Sequence, residues 1–259
     1  MDMTAASALQ VLPLPGLPNV EPGDDVAALL VEALGRAGIK LQSGDVVAVA
    51  QKIISKAEDR YVFLKSVTPS PRAEEIAKAT RKDPRIVELV LRESSEVLRM
   101  KRNVLIVRHK HGYVLAQAGI DQSNIISDPD NPRVLLLPED PDTSAQKLRD
   151  ALGKRCGVTP YVLITDSWGR AWRRGIVGFA LGAAGFAPIV SKIGAKDMMG
   201  RTMEVTEIAI ADQLASMATH VMGEAAEGTP AVVIRGARVS PAHSNAAALI
   251  RPLAEDLFQ

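Results

Sequence analysis

The sequence has little of several features that would assign it to a class at once. Its single cysteine, Cys156, excludes internal disulfides and thiolate metal clusters. Aromatic residues make up only 3% of the chain, and the formal net charge of +1 provides no global field for nucleic acid or a membrane surface. No apolar run reaches the ~20 residues that span a bilayer, and the N-terminal segment lacks the basic start and long apolar run of a signal peptide. These absences predict a cytoplasmic protein that binds neither nucleic acid nor membranes.

Standard nucleotide-binding and hydrolase motifs are also missing. The chain has no P-loop, no G-x-G-x-x-G after a predicted strand, no G-x-S-x-G elbow and no H-E-x-x-H. His109 and His111 form an H-x-H pair beside a predicted turn, but no third ligand is evident. The pair therefore favours a solvated strand end over a metal site.

The hydrophobic pattern predicts one domain, residues 1–259, of mixed helices and strands. The expected helices are 26–37, 72–80, 84–99, 143–157 and 204–225; the expected strands are 46–50, 103–109, 113–117, 133–137, 158–165 and 231–235. Because two of the strands form a hairpin, we expect an α+β fold with mixed, partly antiparallel sheets, packed helices and two intimately associated lobes. A subdomain junction is expected near 128–142.

Four glycines, Gly175, Gly178, Gly182 and Gly185, recur at spacings of three, four and three. This spacing is helical, and small residues along one stripe allow another backbone to approach closely. We favour packing over a phosphate-binding loop because no consecutive glycines form an anion-binding nest. The segment 175–186 fits a core or an interface equally well.

Two predicted strands end in aspartates that have hydroxyl or amide side chains nearby. The strand 113–117 runs into Asp121, and the strand 158–165 ends at Asp166. Taken singly, each aspartate fits a turn or a helix cap. Taken together they fit a hard divalent cation, since Mg²⁺ is usually held by one or two carboxylates plus substrate phosphates.

Basic side chains that suit phosphate oxygens accompany these carboxylates. Lys52 and Lys56 follow the strand 46–50, and Arg170 and Arg173 follow Asp166. With these cations, a metal-dependent phosphate site and the structural interpretation of the two aspartates are about equally favoured. The residues alone lead no further than a metal-dependent site that handles phosphoryl groups.

Ordered segments along nearly the whole chain resemble one family. They are Leu17-Pro18-Asn19-Val20 with Pro22-Gly23-Asp24-Asp25, Gly44–Val47 leading to Gln51–Glu58, Ala118–Asn124, Leu136–Asp142, Thr165–Arg173, and Val221-Met222-Gly223-Glu224. Together they resemble the gamma-glutamyl ligases of coenzyme F-420 biosynthesis (F-420-0:L-glutamate ligases), which add glutamate to a phospholactyl deazaflavin. The ordered set is far more specific than any one of its motifs.

The resemblance implies GTP-dependent amide-bond formation. The terminal carboxylate of the deazaflavin precursor is activated as an acyl phosphate by the γ-phosphate of GTP, and the amine of L-glutamate then displaces phosphate. It further implies two Mg²⁺ or Mn²⁺ ions, room for K⁺, and a homodimer. A flavin reductase-like C-terminal domain, present in some relatives, is not expected here. The alternatives are a metal-dependent, GTP-using ligase for another acid, and a non-catalytic nucleotide-binding regulator.

The resemblance also implies roles for individual residues. The metal ligands would be Asp121, Asp166, Ser167 and Glu224, with Ser167 in the place of a more usual Thr. The nucleotide contacts would be Leu17, Pro18, Asn19, Val20, Gln51, Lys56, Asn124, Met222, Gly223 and Glu224. Asp121, Asp166, Arg170 and Arg173 would be catalytic, the two arginines holding the anionic groups of the precursor or of glutamate. Trp168 and Trp172 fit contact with the flat ring or loop packing equally well.

Overall fold

A computed structural model of the protein describes residues 8–257. The first seven residues, which open the segment that lacks signal-peptide features, and the last two lie outside the described residues. Within 8–257, no helix is long and apolar enough to cross a membrane.

The described residues form helices α1–α6 and strands β1–β12, joined by loops and short 3₁₀ turns. The helices are α1 (Val26–Arg36), α2 (Gln51–Ala57), α3 (Pro71–Thr80), α4 (Pro84–Arg92), α5 (Pro141–Cys156) and α6 (Ile210–Met222). The strands are β1 (Gln10–Pro13), β2 (Val46–Ala50), β3 (Tyr61–Phe63), β4 (Ser94–Lys101), β5 (Val104–His109), β6 (Val114–Ala116), β7 (Arg133–Leu135), β8 (Tyr161–Arg170), β9 (Arg173–Ala184), β10 (Val190–Ser191), β11 (Glu207–Ile208) and β12 (Ala231–Arg235).

A five-stranded sheet in the order β1-β12-β2-β8-β9 forms the centre of the fold. β2 and β8 run parallel, and the other neighbouring strands run antiparallel. The parallel pair stays in register up to Ala50 and Thr165, where β2 ends. β8 continues to Arg170 by pairing with β9, so the predicted strand end at 165 is wrong. The start of α2 and Asp166, which come next along the two strands, are therefore neighbours. A crevice outside the carboxyl ends of parallel strands is a common place for ligands.

Apolar layers cover both faces of this sheet. Successive side chains of a strand point to opposite faces, so Val47 and Val49 pack in one layer while Val46 and Ala48 pack in the other. The first layer also contains side chains of α1 and α5, and the second contains side chains of α6. A third apolar cluster joins α3 and α4 to the three-stranded sheet β4-β5-β6 and to β7.

The predicted α+β class is confirmed, because parallel and antiparallel strands share one sheet and helices pack on it. The helix starts follow the expected local signals. Asp25, Ser70, Asp83 and Asp140 cap α1, α3, α4 and α5, in that order, and α3, α4 and α5 each begin with proline. The two lobes and the subdomain junction near 128–142 stay predictions.

The predicted helix 84–99 is wrong in its second half. α4 ends at Arg92, and Ser94–Lys101 forms β4, which pairs with β5. Buried Glu93 turns the chain, and the Ser94 hydroxyl donates to the Val90 carbonyl at 2.5 Å, closing the last helical turn. The apolar residues beyond this point continue a helical spacing, but pairing with β5 overrides local propensity.

The predicted helix 204–225 is also too long. α6 covers Ile210–Met222, and the residues before it include β11, which pairs with β10. Gly223, with φ at +78°, ends the helix because the chain must leave helical geometry there.

The helical interpretation of the glycine series is wrong, whereas close packing is confirmed at two of its members. Gly178 and Gly182 lie on β9. A Cβ at Gly178 would overlap the Ala215 carbonyl of α6, and one at Gly182 would overlap the Pro141 carbonyl of α5. Both helices thus approach this strand too closely for a side chain.

The interpretation of the H-x-H pair as a solvated strand end is wrong for His109, which is 1% exposed. Its ring lies 4.9 Å from that of His111 and 5.8 Å from that of Tyr113. Among the described residues, no three His, Cys, Asp or Glu side chains group closely enough to hold a metal alone, so these histidines form no such site.

Candidate active site

A cavity of about 660 Å³ opens where β2 ends beside Thr165 of β8. Every residue predicted to hold metal or nucleotide lines it: Leu17, Pro18, Asn19, Val20, Gln51, Lys56, Asp121, Asn124, Asp166, Ser167, Met222, Gly223 and Glu224. They come from separate segments spread along the chain between Leu17 and Glu224, which the fold brings together. The predicted roles of these residues stay predictions; their convergence on one cavity is observed.

Asp121 is held rigidly at the rim of this cavity. Its backbone N–H and carbonyl both bond Leu135, each at 2.9 Å. Its Oδ1 accepts from the N–H and the hydroxyl of Ser123, both at 2.8 Å, and its Oδ2 lies 2.6 Å from Lys52 Nζ. Burial by itself raises the pKa of Asp121, but Lys52 and Ser123 outweigh it and hold the pKa below its usual value.

Asp166 lies within β8, directly after Thr165, the last residue that pairs with β2, and its charge is poorly compensated. Its Oδ1 accepts from the Ser167 N–H at 2.8 Å. Burial, together with the negative charges of Asp121 and Glu224, raises the pKa of Asp166 to about 7. The Ser167 hydroxyl donates to Glu224 at 2.7 Å, so a third carboxylate also faces this side of the cavity.

The donor set fits a cation that arrives with a polyphosphate. Oxygen ligands of this kind suit Mg²⁺ or Mn²⁺. A cation would also stabilise the ionised form of Asp166, whose pKa is raised first by burial and then by the charges of Asp121 and Glu224. No three acidic, histidine or cysteine side chains among residues 8–257 form a complete site by themselves. Water and phosphate oxygens would therefore have to complete the coordination shell, as Mg²⁺ normally requires.

Other polar side chains that line the cavity carry no negative charge. Lys56 is 6% exposed, and its Nζ donates to Asn19 Oδ1 at 2.7 Å. Burial and the nearby Lys52 lower the pKa of Lys56. Buried Gln51 accepts from Ser55 at 2.8 Å, and exposed Asn124 donates to the Ala225 carbonyl at 2.9 Å. The cavity lining thus contains both lysines and carboxylates, which suits a metal-bound anionic ligand.

Comparison with known proteins identifies the family. A family model described as F420-0:Gamma-glutamyl ligase matches residues 16–236. The chain belongs to the F420-0:gamma-glutamyl ligase family. Three similar proteins are each named Coenzyme F420:L-glutamate ligase. The one from Methanothermobacter thermautotrophicus is 42% identical over 97% of this chain and 99% of its own length. The one from Methanopyrus kandleri is 41% identical over 99% and 100%, and the one from Archaeoglobus fulgidus is 43% identical over 90% and 89%.

Two of the predicted catalytic residues in this F420-0:gamma-glutamyl ligase family member lie outside the cavity. Arg170 and Arg173 face each other across the β8–β9 hairpin, near its turn. Arg170 donates to the Gly175 carbonyl at 3.1 Å, and Arg173 is exposed. Neither lines the cavity, because the hairpin carries both beyond Ser167.

The two tryptophans of this hairpin have different environments. Trp168 stacks on Phe179 with ring centroids 4.3 Å apart and packs against the first apolar layer. Trp172 is 87% exposed at the turn. Loop packing is therefore the role observed for Trp168.

The sequence interpretation offered Lys52 as a cation for phosphate oxygens but did not identify its ion-pair partner. Lys52 is the second residue of α2 and lies one helical turn before Lys56, so the two side chains share a face. That spacing was the available signal, but the partner of Lys52 was not evident because Asp121 lies far along the chain.

Proposed function

We propose that this protein is a ligase that adds L-glutamate, through gamma-linked amide bonds, to the phospholactyl deazaflavin precursor of coenzyme F-420. It uses GTP and a divalent metal, Mg²⁺ or Mn²⁺. The observation that carries the proposal is the convergence of Asp121 and Asp166 with the predicted nucleotide segments on one cavity. The full-length similarity to proteins named Coenzyme F420:L-glutamate ligase supports the choice of substrates.

In the proposed reaction, a carboxylate oxygen of the precursor attacks the γ-phosphorus of GTP, and GDP leaves. The glutamate amine then attacks the acyl carbon, phosphate leaves, and the amine gives up a proton. This chemistry needs positioning and charge stabilisation rather than a covalent enzyme intermediate. A bound divalent ion would neutralise charge on the triphosphate.

The chain's own residues supply the remaining requirements. Asp121, Asp166, Ser167 and Glu224 would hold metal, and K⁺ could accompany the divalent ions. Lys56 is a point charge for phosphate oxygens, and its burial favours an anionic partner. Arg170 and Arg173 stand on a hairpin outside the cavity, where they would receive the carboxylates or phosphodiester of the other substrates. We also propose a homodimer.

The test is to incubate the purified protein with the glutamate-free precursor, L-glutamate, GTP and Mn²⁺ or Mg²⁺, and to follow product mass. We expect successive glutamyl additions that require GTP. Asp166→Asn should lower the rate by about 100-fold or more, since even residues behind a metal ligand commonly contribute 10–100-fold. Asp150→Asn is the matched control, because Asp150 is an exposed residue of α5 away from the cavity.

The same assay separates the alternatives. Addition to other acids, but not to the deazaflavin precursor, would show a ligase with a different substrate. GTP binding without any addition would indicate a regulator. Full activity of Asp166→Asn, or glutamate addition without any nucleotide, would contradict the proposed mechanism.

A further inference from the structure

Lys52 fills a position beside Asp121 that resembles a cation site. Its Nζ lies 2.6 Å from Asp121 Oδ2, 2.9 Å from the Ser123 carbonyl and 3.0 Å from the Ser123 hydroxyl. An ammonium group has three N–H donors, and here all three have oxygen partners. Carboxylate, carbonyl and hydroxyl oxygens are also the ligands that hard divalent cations take.

This arrangement leaves Asp121 without a free oxygen. Oδ1 accepts two hydrogen bonds from Ser123, and Oδ2 faces Lys52. A divalent ion that binds Oδ2 must compete with the Lys52 ammonium, which lies 2.6 Å away. Asp166, which lines the same cavity, has no ion pair within 4 Å among the described residues, although the charge of Lys52 also acts on it. The Ser167 N–H is its only described hydrogen-bond partner. The two aspartates therefore differ in what a metal must displace.

The displaced ammonium needs a new anionic partner. Lys52 is mostly buried, with 20% of its side chain exposed, so water alone compensates it poorly. The neighbouring cation, Lys56, is one turn away and repels it. A phosphate group in the cavity would supply the missing partner for both lysines. A metal ion alone offers the Lys52 ammonium no anionic partner, whereas a metal bound to a nucleotide brings phosphate groups.

We propose that Lys52 is the resident cation of Asp121 in the ligand-free protein, and that divalent metal and nucleotide displace it together. The inference rests on the proposed function, because it assumes that the cavity takes a metal–nucleotide complex. Lys52 is then a positioning residue that couples the two ligands: it weakens metal binding until a phosphate is present to accept the ammonium. The consequence is that metal enters with the nucleotide rather than before it.

The test measures Mn²⁺ binding without turnover, from the loss of the free-ion electron paramagnetic resonance signal. It compares the wild type with Lys52→Met, first alone and then with a non-hydrolysable GTP analogue. We expect Lys52→Met to bind Mn²⁺ at least about 5-fold more tightly than the wild type in the absence of nucleotide. The analogue should tighten Mn²⁺ binding by roughly 5–150-fold in the wild type, the usual range for coupled sites, and by clearly less in the variant.

Lys56→Met is the matched control. It removes the same charge from the same helix and cavity, but Lys56 bonds the neutral Asn19 rather than a carboxylate. Its nucleotide-free Mn²⁺ affinity should therefore change less than that of Lys52→Met. Lys52→Arg keeps the charge and should retain weak Mn²⁺ binding. If Lys52→Met fails to fold, judged by circular dichroism, Lys52→Gln takes its place.

The outcomes separate the inference from the function on which it rests. Equal Mn²⁺ affinity and equal nucleotide coupling in the wild type and Lys52→Met would overturn the role of Lys52 and leave the metal-dependent ligase intact. Equal gains in Lys52→Met and Lys56→Met would also overturn it, because a general field effect would then explain the result. No Mn²⁺ binding by any of these proteins, with or without the analogue, would instead contradict the metal-dependent function itself.

Discussion

At the scale of single residues, Glu93 shows how a buried charge is stabilised away from the cavity. Its carboxylate lies 3.0 Å from Lys110, 3.5 Å from Arg60 and 3.7 Å from the His109 ring. Burial by itself raises the pKa of Glu93, but His109, Lys110 and Arg60 outweigh it and lower the pKa to about 2. The ionised form is therefore favoured in the folded protein more than in the unfolded chain.

We expect Glu93→Gln to lose stability in a pH-dependent way. A carboxyl whose pKa is lower in the folded state stabilises the fold at a pH above its pKa in the unfolded chain, about 4.5. This contribution is lost as the pH falls towards the folded-state pKa of about 2. The variant should be less stable than the wild type by roughly 2–3 kcal/mol at pH 7, and the difference should shrink below pH ~4.5. Urea unfolding across this range measures it.

Glu96→Gln is the control for this prediction. Glu96 lies 3.6 Å from Arg108, but its side chain is 58% exposed, so the pair should contribute little. A stability difference between Glu93→Gln and the wild type that does not depend on pH would show that the charge of Glu93 is not what matters.

At the scale of elements, β9 is an edge strand whose outward backbone groups are paired by side chains. The Ala180 N–H donates to Asp212 at 3.0 Å, the Ala183 N–H donates to Asp142 at 2.9 Å, and the Tyr113 hydroxyl donates to the Leu181 carbonyl at 2.7 Å. Unpaired edge groups would invite pairing with another chain. These contacts instead join the edge to α5, α6 and the β5–β6 hairpin.

Asp142 is the most demanding of these contacts, because it accepts from three backbone N–H groups, those of Ala183, Ala246 and Ala247. Asp142→Ala leaves all three donors without this partner, and we expect a loss of about 2–5 kcal/mol in the free energy of unfolding. Asp142→Asn keeps an acceptor oxygen, so its free energy of unfolding should fall between those of the wild type and Asp142→Ala. Guanidinium unfolding checks this, with exposed Asp150→Ala of the same helix as the control. A loss no greater than that of Asp150→Ala would show that the hydrogen bonds of Asp142 to these three N–H groups do not stabilise the fold.

The glycines of β9 set how closely two helices approach the sheet. Gly178→Ala and Gly182→Ala place a Cβ against backbone carbonyls of α6 and α5, which cannot move as a flexible side chain can. We expect each to destabilise the fold by about 1–3 kcal/mol. Gly169→Ala on β8 is the matched control, since its Cβ meets nothing within 4 Å. Thermal unfolding measures all three, and equal melting temperatures would contradict close packing at β9.

At the scale of the whole molecule, large apolar side chains are exposed in two connecting segments. Trp172 at the β8–β9 turn is 87% exposed, and Met198, Met199 and Val205, between β10 and β11, are 97%, 89% and 85% exposed. Contiguous exposed apolar patches mark contact surfaces. They agree with the proposed homodimer, in which the same surface would serve both copies.

We expect the combined substitution Met198→Ser and Met199→Ser to weaken this association at least tenfold while leaving the fold intact. The physical reason is loss of apolar area that a partner would bury. Sedimentation velocity over a range of protein concentrations measures it. Phe63→Ser, which changes an exposed apolar residue on β3, is the control. A monomeric wild type, or a variant that associates as tightly as the wild type, would contradict a dimer built on these loops.

The sequence by itself determined the features that depend on short-range physics. Hydrophobic spacing placed the starts of α1, α3 and α4 within one residue, although it placed the start of α5 two residues late and that of α6 six residues early. Alternating or continuous apolar runs placed the buried strands. The end of the strand before Asp121 also followed from local pattern, whereas β8 continues past the predicted end at 165. The prediction of a site for metal and phosphate came from the same local patterns. These signals lie within a few residues of one another, so one chain is enough to show them.

The tertiary structure decided what depends on long-range pairing. Pairing with β5 made a strand of Ser94–Lys101, and pairing with β8 made a strand of the glycine series. Parallel alignment of β2 with β8 brought Lys52 and Asp166 to one cavity and left Arg170 and Arg173 outside it. The ion pair of Lys52 with Asp121 joins residues far apart in sequence. Register, burial and charge compensation are set by such distant neighbours, which no local pattern of residues specifies.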